Sequence, residues 1–415
     1  MTEYITPEQV LNSLANLPQL VFEVTDACNL KCKYCAYGEF YSDFDKREDK
    51  MLPLSKAKQL IDYLNQFWNS GRNTSAKSVT YISFYGGEPL VNFAFIKEMI
   101  EYIKNNIDQS HRKILFSMTT NAILLHRYMD FLVENDFHIL VSLDGNEKNN
   151  GYRVDHQGNG SFERVVRNVD LLREKYPEFF DKNVNFNAVF HNRSTVEEVY
   201  RFFKEKYNKI PTISELNNSG IRSDKVEEFN QTYRSSEQSL QQSEHYEEIE
   251  KDLFMGASSY KSLALYLHQY SGNYYRDYTD LLCDKENLKY IPTGTCLPFS
   301  KKMFVTVNGK ILPCERIGHQ FGLGQITDSG VELDPAAIAH QYNVYYSKLE
   351  KQCSYCKNRP SCIQCLFNLK DVENNPVCYG FMNETMMENF KQRQLQFLRK
   401  HPEAYREIME KVITI

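Results

Sequence analysis

Strand-like and helix-like segments alternate through the first half of the chain, and this alternation restricts the fold more than any other feature. The apolar, β-branched runs are residues 20–24 (LVFEV), 78–84, 113–118, 137–143 and 184–190, with a sixth around 212–216. Between them lie 54–68, 93–106, 125–135, 162–175 and 195–206, whose apolar residues return at helical spacing. A crossover helix returns the chain to the end of the sheet where it began, so this rhythm sets the strands parallel. The expectation is an α/β fold: a partial (β/α)6 TIM-like barrel over residues 17–220, with the active site beyond the strands' C-terminal ends.

Cys28, Cys32 and Cys35 follow the first strand in the segment TDACNLKCKYCAYGEF, and so fall at that face. A step of four residues is one helical turn and a step of three closes a tight arc, so the three sulfurs can converge on one object. A structural zinc ion is normally closed by four protein ligands, and no further Cys or His in this segment supplies the fourth. An iron-sulfur cluster with one iron left open fits better.

The other cysteines need a compartment before they can be read. The chain has 415 residues, room for roughly two to three domains, and 49 basic against 54 acidic residues give a net charge of −5. No global basic field recruits nucleic acid or an anionic membrane. The opening MTEYITPEQVLNSL lacks the apolar run of a signal peptide, and no segment approaches the ~18 apolar residues of a membrane span. These features predict a cytoplasmic protein with neither nucleic acid nor membrane as partner. In a reducing compartment, eleven cysteines clustered at short spacings read as metal ligands rather than disulfides.

Residues 221–290 break the rhythm. The run SDKVEEFNQTYRSSEQSLQQSEHYEEIEKD is polar, with Val226, Phe229 and Tyr233 at helical spacing, and reads as a helical insert or a linker. The tyrosines of 260–290 suit a helical core better than a peptide-binding surface. Cysteine then returns at Cys283, Cys296 and Cys314, at Cys353, Cys356, Cys362 and Cys365 in CSYCKNRPSCIQC, and at Cys378. These thiols would fill two sites of four, and taken alone the CxxC pairs equally describe a zinc ribbon.

Taken together these motifs resemble the radical S-adenosylmethionine (SAM) enzymes that carry a C-terminal SPASM domain and modify peptides and proteins. CxxxCxxC with Tyr34 before its last Cys is similar to the family's cluster motif, and GGEPL at 86–90 to its methionine-binding motif. TTNAILL at 119–125 and SLDG at 142–145 resemble its third- and fourth-strand motifs. CLPFSKKMFVTVNGKILPC, from Cys296 through Gly309 to Cys314, resembles the SPASM opening, and CxxC, five residues and Cys362 continue it. One departure is visible: two residues, rather than the usual three, separate Cys362 from Cys365.

The resemblance implies SAM and three four-iron (4Fe–4S) clusters as cofactors. Cys28, Cys32 and Cys35 would hold the radical SAM cluster. Gly86, Gly87, Glu88, Thr120, Asn121, Ser142, Asp144 and Arg153 would surround SAM, with Ser142 and Arg153 on its carboxylate. Cys296, Cys314 and Cys365 would bind one auxiliary cluster, with Cys283 as its candidate fourth ligand, and Cys353, Cys356, Cys362 and Cys378 the other. Glu315 is a candidate base for the substrate, against the blander reading of a solvated carboxylate. The SPASM domain would cover residues 291–382 and a C-terminal helix 383–415.

The expected function is a peptide maturase that abstracts hydrogen from a ribosomally made precursor and installs an oxidative modification such as a cross-link. An anaerobic sulfatase-maturing enzyme, forming formylglycine from Cys or Ser, is the nearest alternative. A non-catalytic iron-sulfur or zinc-binding protein is the alternative of another class, and it gives no use to GGEP, SLDG and Arg153. Partners expected from the resemblance are the precursor peptide and an external low-potential reductant such as flavodoxin or ferredoxin. With few residues before the first strand, a leader peptide would be met by the barrel rim, the insert or a separate leader-binding protein.

Overall fold

The computed structural model describes residues 3–74, 78–271 and 291–412; Cys283 lies outside the described residues. Six parallel strands stand side by side in chain order: β1 (Gln19–Thr25), β2 (Ser78–Gly86), β3 (Arg112–Thr120), β4 (His138–Ser142), β5 (Val184–Phe190) and β6 (Thr212–Glu215). β6 pairs with β5 and ends the sheet on that side, so the parallel arc stays open as a partial barrel. The helices fall where their periods place them. Leu54–Trp68, Phe93–Asn106, Leu125–Glu134, Phe162–Lys175 and Val196–Tyr207 turn their apolar stripes onto the strands. The last is started by Thr195 and Glu198 in reciprocal hydrogen bonds that satisfy two otherwise orphaned N–H groups.

β1 is the hinge of the whole architecture. It pairs with β2 on one side and on the other with β7 (Met303–Val305), also parallel. From β7 the sheet continues antiparallel through β8 (Lys310–Leu312), β9 (Gly324–Thr327) and β10 (Gly330–Leu333). The cysteine-rich C-terminal region is therefore grown onto the free edge of β1. Strand β1 is buried on both faces, as its unbroken apolar run requires. The amino end is tied to the same region: Asn343, in helix Pro335–Ser354, accepts at 3.0 Å from the N–H groups of Tyr4 and Ile5 and donates to the Ile5 carbonyl.

The polar insert is helical over its described part, in Val226–Thr232, Ser236–Gln241, Tyr246–Leu253 and Ser258–Ser271. Tyr260 is buried with Leu263 and Ala264 against Ala404 and Ile408, the core role predicted for this tyrosine. The C-terminal stretch is two helices, Glu384–Lys400 and Glu403–Lys411, because Pro402 between them cannot donate to the first helix's ladder.

Candidate active site

The loop after β1 carries Cys28, Cys32 and Cys35, all partly buried. It contains no helix, contrary to the one-turn reading of the Cys28 to Cys32 step. Instead two tight turns shape it, Cys35 N–H to Cys32 carbonyl at 3.2 Å and Gly38 N–H to Cys35 carbonyl at 2.7 Å. Pinning by neighbouring segments competes successfully with helical hydrogen bonding: Lys31 and Lys33 donate their N–H groups to the carbonyls of Val154 and Tyr152.

The two glycines of GGEPL hold this loop against the end of β2. A Cβ on Gly86 would sit 2.1 Å from the Thr25 carbonyl oxygen, and one on Gly87 2.1 Å from that of Ala27. Gly86 also has φ +129°, a backbone setting that only glycine adopts without strain. The N–H groups of Gly87 and Glu88 are given to Thr25 and Ala27 at 2.9 Å. The ammonium group of methionine needs acceptors, so any backbone contact from this turn to it runs through carbonyl oxygens. Glu88 is buried and accepts from Leu90 N–H, Thr120 Oγ1 and Asn121 N–H at 3.1, 2.7 and 2.7 Å. Its carboxylate thus fastens the end of β2 to the end of β3, while burial pushes its pKa up to about 7.

The donor set fits an iron-sulfur cluster. Burial pushes the Cys28 thiol up to about 11 and the Cys32 thiol up to about 12, so thiolates form here only against added positive charge, which iron ions supply. The side chain of Arg47 lies 3.2 Å from the Cys35 sulfur and Asn121 Nδ2 lies 3.8 Å from that of Cys28, donors that a sulfide-rich anion would use. Asn121 also donates to Asn29 Oδ1 at 2.7 Å. Arg47 escapes a reading by spacing, since it stands twelve residues beyond Cys35 in a loop without pattern.

Across the mouth, Asp144 is fully buried just after β4. Its Oδ1 takes Arg153 and the Val189 N–H, both at 2.9 Å, and its Oδ2 takes the Tyr34 hydroxyl. Burial alone would raise the Asp144 carboxyl, but Arg153, His191 and Tyr34 more than offset it and hold it ionised. Arg153 is 6% exposed and so is not an ordinary solvated surface charge. Its guanidinium lies 5.4 Å over the Tyr34 ring, and its buried Nε has no hydrogen-bond partner among the described residues. An orphaned donor of that kind suits a carboxylate ligand such as the one on SAM. Ser142 ends β4, beside Asn187 of β5.

In the C-terminal region every described cysteine is a free thiol. Burial raises the thiols of Cys353 and Cys362, and Cys356 and Cys378 lie near enough to both to add to the rise. Cys296, Cys314 and Cys365 all lie near enough to the buried Tyr342 to add, after burial and Tyr346, to the rise of its hydroxyl pKa. Gly294, not singled out by motif, explains the contact between the opening of this region and its second CxxC. A Cβ there would stand 1.7 Å from the Cys362 carbonyl oxygen, and the Gly294 N–H donates to the Gln364 carbonyl at 3.1 Å. Glu315 is not solvated: it pairs with Lys302 at 3.0 Å and lies 3.6 Å from the Cys314 sulfur. Burial raises its carboxyl, but Lys302, its own backbone N–H and Arg316 together outweigh this and hold it low. It lines a cavity of about 310 Å³ with Ser83 and Tyr85 of β2, Ser117 of β3 and His138 of β4.

A parallel αβ arc with a three-thiol loop after its first strand defines a class. Residues 22–205 match the Radical SAM superfamily, and the chain carries a radical SAM domain. Along 88% of its length it is 24% identical to the cysteine-type anaerobic sulfatase-maturating enzyme of Clostridium perfringens, spanning 94% of that protein. The corresponding enzyme of Clostridium novyi is 28% identical over 197 residues, a match that spans about half of each chain, 46% of this one and 49% of the relative. Among solved structures, native anSMEcpe with bound AdoMet and Cp18Cys peptide shares the fold with a TM-score of 0.59 at 19% identity, covering 95% of this chain and 99% of that one. The cysteine-rich region accordingly fits a SPASM-like domain.

Proposed function

We propose that the chain is a radical SAM maturase of a polypeptide, abstracting hydrogen from one residue and oxidising it. The single observation that carries this reading is the meeting, at one end of the parallel arc, of the three-thiol loop, the GGEP turn and the buried Arg153 with its orphaned Nε. A cluster on Cys28, Cys32 and Cys35 with SAM at its open iron supplies a 5′-deoxyadenosyl radical when both are bound.

The protein's own part is positional. Gly86 and Gly87 let the cysteine loop seat on β2, Glu88 fixes the turn to Thr120 and Asn121, and Arg153 with Ser142 receives the cofactor's carboxylate. The cavity beside Glu315, walled by Ser83, Tyr85 and Ser117 of the strands, is the space this reading assigns to a substrate side chain. Glu315 there would take up a proton only after Lys302 is displaced from it. Cys296, Cys314 and Cys365, and Cys353, Cys356, Cys362 and Cys378, would hold two auxiliary clusters, which would supply an acceptor for the electron that the substrate loses.

The substrate we favour is a ribosomally made precursor peptide that is cross-linked. Formylglycine formation is the second reading, and what favours it is the near full-length similarity to the Clostridium perfringens enzyme. Anaerobic incubation with reductant and SAM, followed by mass spectrometry of a co-encoded peptide and of a sulfatase-motif peptide, tests both. Loss of two hydrogens in the former supports cross-linking, and conversion of only the latter supports formylglycine formation. No turnover of either, with zinc in place of iron, supports the non-catalytic alternative.

A further inference from the structure

We infer that Asp144 is a positioning residue for Arg153 rather than a ligand of the cofactor, acting with Tyr34 and His191 as one brace behind the carboxylate site. The inference rests on the reading of Arg153 as the SAM carboxylate donor. Both oxygens of Asp144 are already committed, Oδ1 to Arg153 and Val189 and Oδ2 to Tyr34, and the residue has no exposed surface. A second carboxylate brought against it would be repelled, so its use lies in what it holds.

The held group is a long side chain with much rotamer freedom to lose. The pairing with Asp144 removes that freedom before SAM arrives, and the Tyr34 ring beneath the guanidinium restricts it further. His191 closes the remaining side. It is fully buried, stacks on Tyr34 with ring centroids 5.7 Å apart, accepts the Arg193 N–H on Nδ1, and brings Nε2 to 3.8 Å from Asp144 Oδ2. Among the described residues nothing else partners that Nε2. Tyr34 stands between Cys32 and Cys35, so the brace also ties the cluster loop to the carboxylate site. The loop's backbone bonds to Tyr152 and Val154, on either side of Arg153, reinforce the tie.

Equilibrium binding of SAM to anaerobically reconstituted protein, read with iron content, tests the brace. Asp144→Asn keeps the shape but removes the counter-ion, and SAM affinity is expected to fall about tenfold with iron per chain unchanged. Tyr34→Phe, which loses one hydrogen bond and keeps the ring, should weaken binding by a few-fold. In an Arg153→Ala background, Asp144→Asn should add less than about twofold, because the two residues act as one unit. Wild-type affinity in Asp144→Asn, or full additivity in the double variant, overturns the inference while a weakened Arg153→Ala leaves the carboxylate reading standing. Wild-type affinity in Arg153→Ala overturns the carboxylate reading itself. If Asp144→Asn fails to hold iron, Tyr34→Phe decides: an unchanged affinity there overturns the brace.

Discussion

The carboxylate of Glu23, in the middle of β1, accepts a 2.8 Å hydrogen bond from the backbone N–H of Val307, in the turn after β7. Its other oxygen accepts from the Tyr37 hydroxyl in the cysteine loop. One buried side chain thus joins the first strand, the cluster loop and the C-terminal region. Burial is the main cause that raises its pKa from 4.5 to about 7, with Tyr37 and Val307 lowering it only in part.

A pH dependence of stability follows. The folded protein holds the Glu23 proton more tightly than the unfolded chain, so this contribution is fully present below pH 4.5 and is lost as pH rises through about 7. The swing is about 3 kcal/mol. Glu23→Gln should remove it: thermal unfolding of wild type, relative to the variant, should fall steadily from pH 5 to pH 8. Parallel curves would mean that Glu23 is ionised in the folded state.

The open-iron argument predicts a reaction without peptide. Reconstituted protein with a strong reductant should convert SAM to 5′-deoxyadenosine and methionine. Cys28→Ala, Cys32→Ala or Cys35→Ala should each reduce that conversion to background, because a cluster missing a thiolate loses its site. Unchanged cleavage in any of them would remove the cysteine loop from the mechanism.

Gly87→Ala is expected to mimic loss of those cysteines without touching one. Its Cβ would fall 2.1 Å from the Ala27 carbonyl, a backbone atom that cannot rotate away, so the loop must lift. Iron should drop by about four per chain, leaving the about eight that the two proposed auxiliary clusters would hold. Gly294→Ala should do the converse, disturbing the Cys362 side of the C-terminal region and sparing peptide-independent SAM cleavage. Iron counts that respond equally to both substitutions would contradict the separation of the sites.

Much of this was legible in the chain because period and motif report local structure. The strand runs and the helices 54–68, 93–106 and 162–175 fall where their apolar spacing puts them. What spacing does not encode is the contact between segments far apart in sequence. The seating of β7 on β1, Arg47 beside Cys35 and Gly294 beneath Cys362 depend on tertiary approach. Glu23 left a signal, a carboxylate inside the run LVFEV. The role of Asp144 left less: SLDG marks the position, but only the geometry shows that its oxygens are filled by Arg153, Val189 and Tyr34.

The last prediction concerns the product. A primary carbon radical takes hydrogen from almost any C–H bond, so selectivity has to come from holding one substrate carbon in place with water excluded. The cavity of about 310 Å³ that Glu315 and Lys302 share with Ser83, Tyr85 and Ser117 has on its wall the residue next to Cys314, and the proposed function sends the substrate's electron to the site of that cysteine. Substituting Cys314→Ala should therefore leave SAM cleavage intact while suppressing the oxidised product, so that 5′-deoxyadenosine accumulates without a matching loss of two hydrogens from the peptide. In wild type the two quantities should agree one to one by mass spectrometry and chromatography. A Cys314→Ala enzyme that still forms product at the wild-type ratio would show that the electron leaves by another path, and a wild-type product of unchanged mass carrying solvent deuterium would identify epimerisation in place of oxidation.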